Sequence, residues 1–397
     1  MRRQGLEVAD IFHRHGAAWR KANAGHISLG QLQVMSAIED CRSAVLGGHV
    51  ERCEDCGHRR IAYNSCRNRH CPKCQGAAAK DWLTGREADL LPVGYFHLVF
   101  TLPAEVALIA YQNKTVVYDL LFRAAAEALL TIAADPRHLG ARIGATAVLH
   151  SWGSAMTHHP HVHMIVPGGG LSLDGTHWVP CRPGFFLPVR VLSRVFRQEY
   201  LTGVRIAFEQ GRLRLPGSLQ SLAQPIDRAA WLAALAAKDW VVYAKPPFFG
   251  GPEQVLKYLA RYTHRVAISN ARLQDMSDGQ VTFRYKDYAD DHKQKTMTLS
   301  ADEFLRRFMQ HVLPKGFVKV RHYGLLANRQ RAERLEQCRR LLAAANVGTV
   351  PASSAEVTVE AVEPHCCPKC GGKRLIYREL TPEEATTRSA VMAQNSS

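Results

Sequence analysis

The chain has 397 residues, with 51 Lys and Arg against 35 Asp and Glu, so its formal charge is +16 with histidines neutral. A hydrophobic content of 46% is enough to bury cores for two or three domains and excludes wholesale disorder. No stretch reaches the roughly 18 apolar residues that a membrane span needs and no apolar leader follows Met1, so a cytosolic protein without a membrane partner is expected. The positive excess favours polyanions, because each neutralised phosphate releases condensed counterions, and nucleic acid leads the partner classes.

Residues 1 to about 50 read as helical, with Val8, Ile11 and Phe12 at helical spacing. Residues 53–74 form a cysteine cluster. The aromatic and β-branched run 94–103, closed by Pro103, predicts a buried strand and opens a core domain. Helical spacing covers 116–133. Strand-like runs follow at 145–151 and 161–166, the second ending in Pro167 and three glycines that mark a turn. Asp278-Gly279 between 271–276 and 281–285 predicts a hairpin. Strands and helices alternate without a regular βαβ period, which favours an α+β fold with a mainly antiparallel sheet. Residues 343–364 read as a linker, a second cysteine motif begins at 366, and 381–397 reads as a disordered tail. The expected domains are thus 1–91, helical and cysteine-rich; 92–342, the core; and 365–397, a partial knuckle with its tail.

Eleven cysteines, an odd number arranged partly in Cys-x-x-Cys pairs, indicate metal binding rather than disulfides. Cys53, Cys56, Cys66, His70, Cys71 and Cys74 are soft or borderline ligands, and zinc takes four. The simplest set is Cys53, Cys56, Cys71 and Cys74, with Cys66 or His70 able to replace one member. Arg59, Arg60, Arg67, Arg69 and Lys73 crowd this region and could grip a phosphate backbone. Farther on, Cys367 and Cys370 resemble one knuckle of a zinc ribbon whose second knuckle is missing. A degenerate remnant, a compact site using His365 or Cys366, and an intermolecular site all stay open.

In an extended strand, residues two apart point the same way, so His161 and His163 share a face and could hold one divalent ion such as Mn²⁺, Zn²⁺ or Mg²⁺. Tyr258 and Tyr262 lie four apart in a helix-like segment that starts at Pro252, with Lys257, Arg261 and Arg265 on an adjacent face. A phenol with a pKa of about 10 is a poor nucleophile unless a metal polarises the phosphate it attacks. Attack on DNA would leave a 5′-phosphotyrosine and a free 3′-hydroxyl, and two tyrosines allow two successive transfers.

These features, with the segments 64–75, 152–154, 159–170, 243–247, 258–262 and 320–324, resemble the rolling-circle transposases of the insertion-sequence 91 family over roughly residues 10–330. The resemblance implies an amino-terminal zinc domain followed by a histidine–hydrophobic–histidine endonuclease, whose antiparallel sheet carries a catalytic Mg²⁺ or Mn²⁺ beside a tyrosine helix. His161 and His163 become metal ligands, and Tyr258 and Tyr262 become nucleophiles acting on single-stranded element ends and target DNA. Lys245, Lys257, Arg261 and Arg265 become candidates for positioning the scissile phosphate, and Trp152 or Phe248 for stacking bases. His159, His97 and His264 are candidates for a third ligand, with none favoured. A bacterial, nucleoid-associated location follows from the same likeness. The rival readings are a plasmid or phage replication initiator, a relaxase, and a zinc-dependent DNA-binding regulator without cleavage.

Overall fold

Each of two units is assembled from segments distant in sequence, the first from residues 1–78, 268–312 and 354–397 and the second from 79–267 and 313–353. The computed structural model describes residues 5–76, 79, 82, 85, 89–245, 266–288, 290–345 and 366–387.

The second unit is built on a five-stranded sheet in the order Val320–Gly324, Gly144–Trp152, His158–Pro167, Tyr95–Thr101, Val242–Lys245, antiparallel at every pairing. The expected α+β class with an antiparallel sheet and flanking helices is what forms. The predicted run 94–103 forms the shorter strand Tyr95–Thr101, the runs 145–151 and 161–166 lie within longer observed strands, and the predicted helix 116–133 is Lys114–Ala134. Strand periodicity decides which face is buried on the helices. Phe96, Leu98 and Phe100, Ala145, Ala147 and Leu149, and Val162, Met164 and Val166 all join one core. That core includes Leu121 and Leu129 of helix 114–134 and Phe196 and Tyr200 of helix Val189–Glu209. At about 1.5–3 kcal/mol for each large apolar side chain removed from water, this layer holds the sheet flat against its helices. By the same alternation His97, His150, His161 and His163 fall on the opposite face. Tyr95 and Ile165 pack together at another place on that face.

In the first unit, helices Val8–Ala22 and Leu29–Glu39 lead the chain, the second opened by a Ser28–Gln31 capping box. The helical reading of residues 1–50 fails after Glu39. Gly47 adopts φ +68°, and a Cβ on Gly48 would lie 2.5 Å from the Ala62 carbonyl oxygen, so two glycines let the chain turn and approach a neighbouring strand closely. Gly48–Cys53 is that strand's partner, paired antiparallel with Arg59–Tyr63 on one edge and Leu375–Leu380 on the other. The hairpin expected at Asp278-Gly279 is present. Both residues have positive φ, 50° and 70°, as a two-residue turn matching strand twist requires.

A third strand, Lys293–Ser300, completes that sheet and runs into helix Ala301–Gln310, capped by the Ser300 hydroxyl accepting from the Glu303 N–H. Phe308 of this helix meets Phe12 edge-on at 5.3 Å between ring centroids. Residues 268–312, read from sequence as part of a 92–342 domain, therefore pack with the amino-terminal helices. Residues 382–387, read as tail, are helical with Ala385 buried. Among the described residues no helix is long and apolar enough to cross a membrane.

Candidate metal centres

Sheet register assembles a histidine cluster on the face opposite the helices. His150 and His161 are directly paired across adjacent strands, and His163 stands two residues further along. One ring nitrogen from each of His150, His161 and His163 lies within 4.8 Å of the others. His150 supplies the third member that sequence reasoning left unassigned. Its signal was a lone imidazole immediately after the run 145–149 within the predicted strand 145–151, where a buried polar group needs a partner. His159 and His97 do not enter the triad, and His264 lies outside the described residues.

The two other histidines hold the triad in place. The His161 Nδ1–H donates to the His159 carbonyl at 2.7 Å, which leaves the Nε2 lone pair for a cation. His97 Nε2 and His163 Nδ1 share a hydrogen bond of 2.8 Å, with the rings stacked 5.0 Å apart. A cation on His163 Nε2 requires its proton on Nδ1, donated to His97. Burial pushes His161 down to about 4, so at neutral pH its imidazole is uncharged and able to ligate. Burial, reinforced by the charge of Lys245, holds His97 at about 4 as well. Trp152 stacks on His150 with centroids 4.7 Å apart, and the Lys319 ammonium lies 5.2 Å from the same indole.

Lys245 is paired in register with His97, which brings an ammonium to the strand beside the triad. Tyr258, Tyr262, Lys257, Arg261, Arg265 and Phe248 lie outside the described residues. The sheet strand ending at Lys245 is the last described element before them.

The structure regroups the cysteines. Cys53, Cys56, Cys71 and Cys74 do not form one site. Instead Cys71 and Cys74 join Cys41 and Cys66, while Cys53 and Cys56 join Cys367 and Cys370, each set with its sulfurs within 4.8 Å of one another. His70, the other alternate, contributes no ligand atom. The physical reason is the strand pairing already described: Cys53 ends the strand that Leu375–Leu380 flanks, and this carries residues 367 and 370 to it. In the first set the Cys74 sulfur is 3.6 Å from those of Cys41 and Cys66. A tetrahedron with Zn–S of about 2.3 Å has edges of about 3.8 Å, whereas a disulfide closes to about 2.05 Å, so the spacing suits a shared cation. Burial pushes the Cys66 thiol up to about 12, and the buried Cys71 thiol is raised too, so a cation is what would let these sulfurs ionise together. Cys181, Cys338 and Cys366 join neither set. Of the nearby basic residues, Lys73 pairs with Glu7 and Arg60 with buried Glu51, so these two serve the fold.

Comparison with known proteins gives two family matches. A family model described as "Transposase zinc-binding domain" covers residues 11–102, and one described as "Putative transposase" covers residues 144–334. A protein of Sinorhizobium fredii named "Putative transposase y4qJ" is 60% identical over 342 residues, 86% of this chain and 85% of that protein. The transposase for insertion sequence element IS801 of Pseudomonas savastanoi pv. phaseolicola is 29% identical over 360 residues, 87% of this chain and 83% of that protein. No solved structure matches.

Proposed function

Because the chain belongs to the insertion-sequence 91 family of transposases, we propose that it cuts and transfers single-stranded DNA through Tyr258 and Tyr262, in rolling-circle transposition. The observation that carries this reading is the triad of His150, His161 and His163, which brings three ring-nitrogen donors together on one sheet face. A divalent ion such as Mg²⁺ or Mn²⁺ bound there supplies charge neutralisation at a phosphate oxygen.

The chain's own residues perform the rest. His97 and the His159 carbonyl fix ring orientation, and Lys245 adds positive charge beside the triad for a phosphate of the incoming strand. Trp152, stacked on His150, is an aromatic surface suited to an unpaired base. A tyrosine oxygen bonds to phosphorus as the bond from phosphorus to the 3′ oxygen breaks. The phenolic proton passes by way of solvent to the departing 3′ oxygen, which becomes the free 3′-hydroxyl, and the second tyrosine can repeat the exchange. The tyrosines lie only 13 and 17 residues beyond Lys245, whose strand is separated from that of His161 and His163 by the single strand Tyr95–Thr101. Zinc held by the cysteine-rich domain supports its fold.

Incubation with single-stranded DNA bearing the element's ends and Mn²⁺ should give a covalent protein–5′-DNA adduct. Tyr258→Phe with Tyr262→Phe should abolish the adduct while leaving DNA affinity nearly intact, because only the hydroxyls are lost. An adduct that persists in the double variant would falsify the tyrosine assignment.

A further inference from the structure

We propose that Cys53, Cys56, Cys367 and Cys370 bind a second zinc ion, forming a zinc ribbon that joins the amino-terminal cysteine region to a segment more than 300 residues away. The family match to a zinc-binding domain ends at residue 102 and includes only half of these ligands.

Both halves have the same local construction. In one, the Gly57 N–H donates to the Cys53 carbonyl at 2.9 Å, and in the other the Gly371 N–H donates to the Cys367 carbonyl at 2.8 Å. Gly57 and Gly371 have φ of 69° and 72°, the left-handed conformation that closes each Cys-x-x-Cys turn. Each turn therefore presents its two sulfurs on one side. The turns face each other: Cys53 and Cys370 sulfurs are 3.6 Å apart, and so are those of Cys56 and Cys367. These distances match the edge of a thiolate tetrahedron about a zinc-sized ion and are too long for a disulfide. The Gly372 N–H points at the Cys370 sulfur from 3.4 Å, a donor that stabilises a thiolate.

The surroundings are built to bring the turns together. Cys53 is in register with Leu375, the Glu54 N–H donates to the Arg374 carbonyl at 3.0 Å, and the Arg374 guanidinium donates to Asp55. Four soft sulfur donors favour zinc over magnesium or manganese, and loading it would release the thiol protons to solvent. The site is distinct from the set formed by Cys41, Cys66, Cys71 and Cys74 and from the histidine triad.

The test uses the full chain, purified under reducing conditions. Titration with Co²⁺, read by sulfur-to-cobalt charge-transfer absorption that histidine sites do not give, should saturate at two equivalents. Cys367→Ser with Cys370→Ser should saturate at one and lose one zinc equivalent by elemental analysis. Cys66→Ser with Cys71→Ser should likewise retain one. Saturation of the unaltered chain at a single equivalent overturns the proposal and does not depend on any variant folding. So does retention of both equivalents by the Cys367/Cys370 variant. Neither result bears on the tyrosine chemistry, which is read by the adduct.

Discussion

At the scale of single residues, the triad depends on which nitrogen of each ring is committed elsewhere. Register sets His150 beside His161 as a candidate ligand, and in the proposed site His97 would act through its hydrogen bond to His163 as a positioning residue. His97→Ala should weaken the metal dependence of adduct formation by about 10–100-fold, the usual effect of an outer-shell partner, and His150→Ala should weaken it more. An unchanged Mn²⁺ titration in His150→Ala would remove that residue from the ligand set.

His158, outside the triad, shows a different consequence of burial. Its Nδ1–H donates to the Ala107 carbonyl and its Nε2 accepts from the Tyr118 hydroxyl at 2.8 Å. Burial, reinforced by the charge of Lys114, pushes it down to about 4. Above the unfolded value of about 6.5 both states are neutral and its contribution is complete. As pH falls from 6.5 towards 4 the unfolded chain takes up the proton first, so stability drops by about 1.4 kcal/mol per pH unit. His158→Gln should flatten this acid limb in urea unfolding compared at pH 7 and pH 5. An equally steep loss in the variant would assign the slope to other groups.

At the scale of elements, local chemistry was legible wherever a short motif is enough to specify a conformation. The Asp278-Gly279 turn is one such case, and a Cβ on Gly279 would meet nothing within 4 Å. The cost of Gly279→Ala is therefore conformational rather than steric. It should destabilise by about 1 kcal/mol through the positive φ alone, read as a lower urea midpoint with an unchanged slope. No loss would mean that the turn can relax into another type. The strands of the central sheet were legible because they are β-branched and aromatic runs with few charges, two of them closed by Pro103 and by Pro167 with its glycines. The helix-to-strand change between Glu39 and Gly48 was not, since it depends on Gly48 approaching the Ala62 carbonyl, a contact that no helical periodicity announces.

At the scale of the whole molecule, the units do not follow the order of the chain. Helix Ala301–Gln310 buries Phe304, Leu305 and Phe308, with Phe308 against Phe12 of the first helix. A fragment limited to residues 92–342 would keep Phe304 against Phe283 but uncover Phe308, whose partner Phe12 is lost. It should bind a hydrophobic dye and self-associate on size exclusion, while the full chain should not. A monomeric, dye-silent fragment would argue against the packing of residues 268–312 with the amino-terminal helices.

The sequence by itself determined the donor types, the shared face of His161 and His163, the antiparallel α+β class and the family likeness, because each rests on local spacing or on motifs read in order. Tertiary structure alone decided that His150 faces His161 and that Cys53 and Cys56 meet Cys367 and Cys370 rather than Cys71 and Cys74. Those choices depend on strand register and chain path. Two Cys-x-x-Cys-Gly turns of the same kind are visible in the sequence, but only the pairing of Gly48–Cys53 with Leu375–Leu380 brings them face to face.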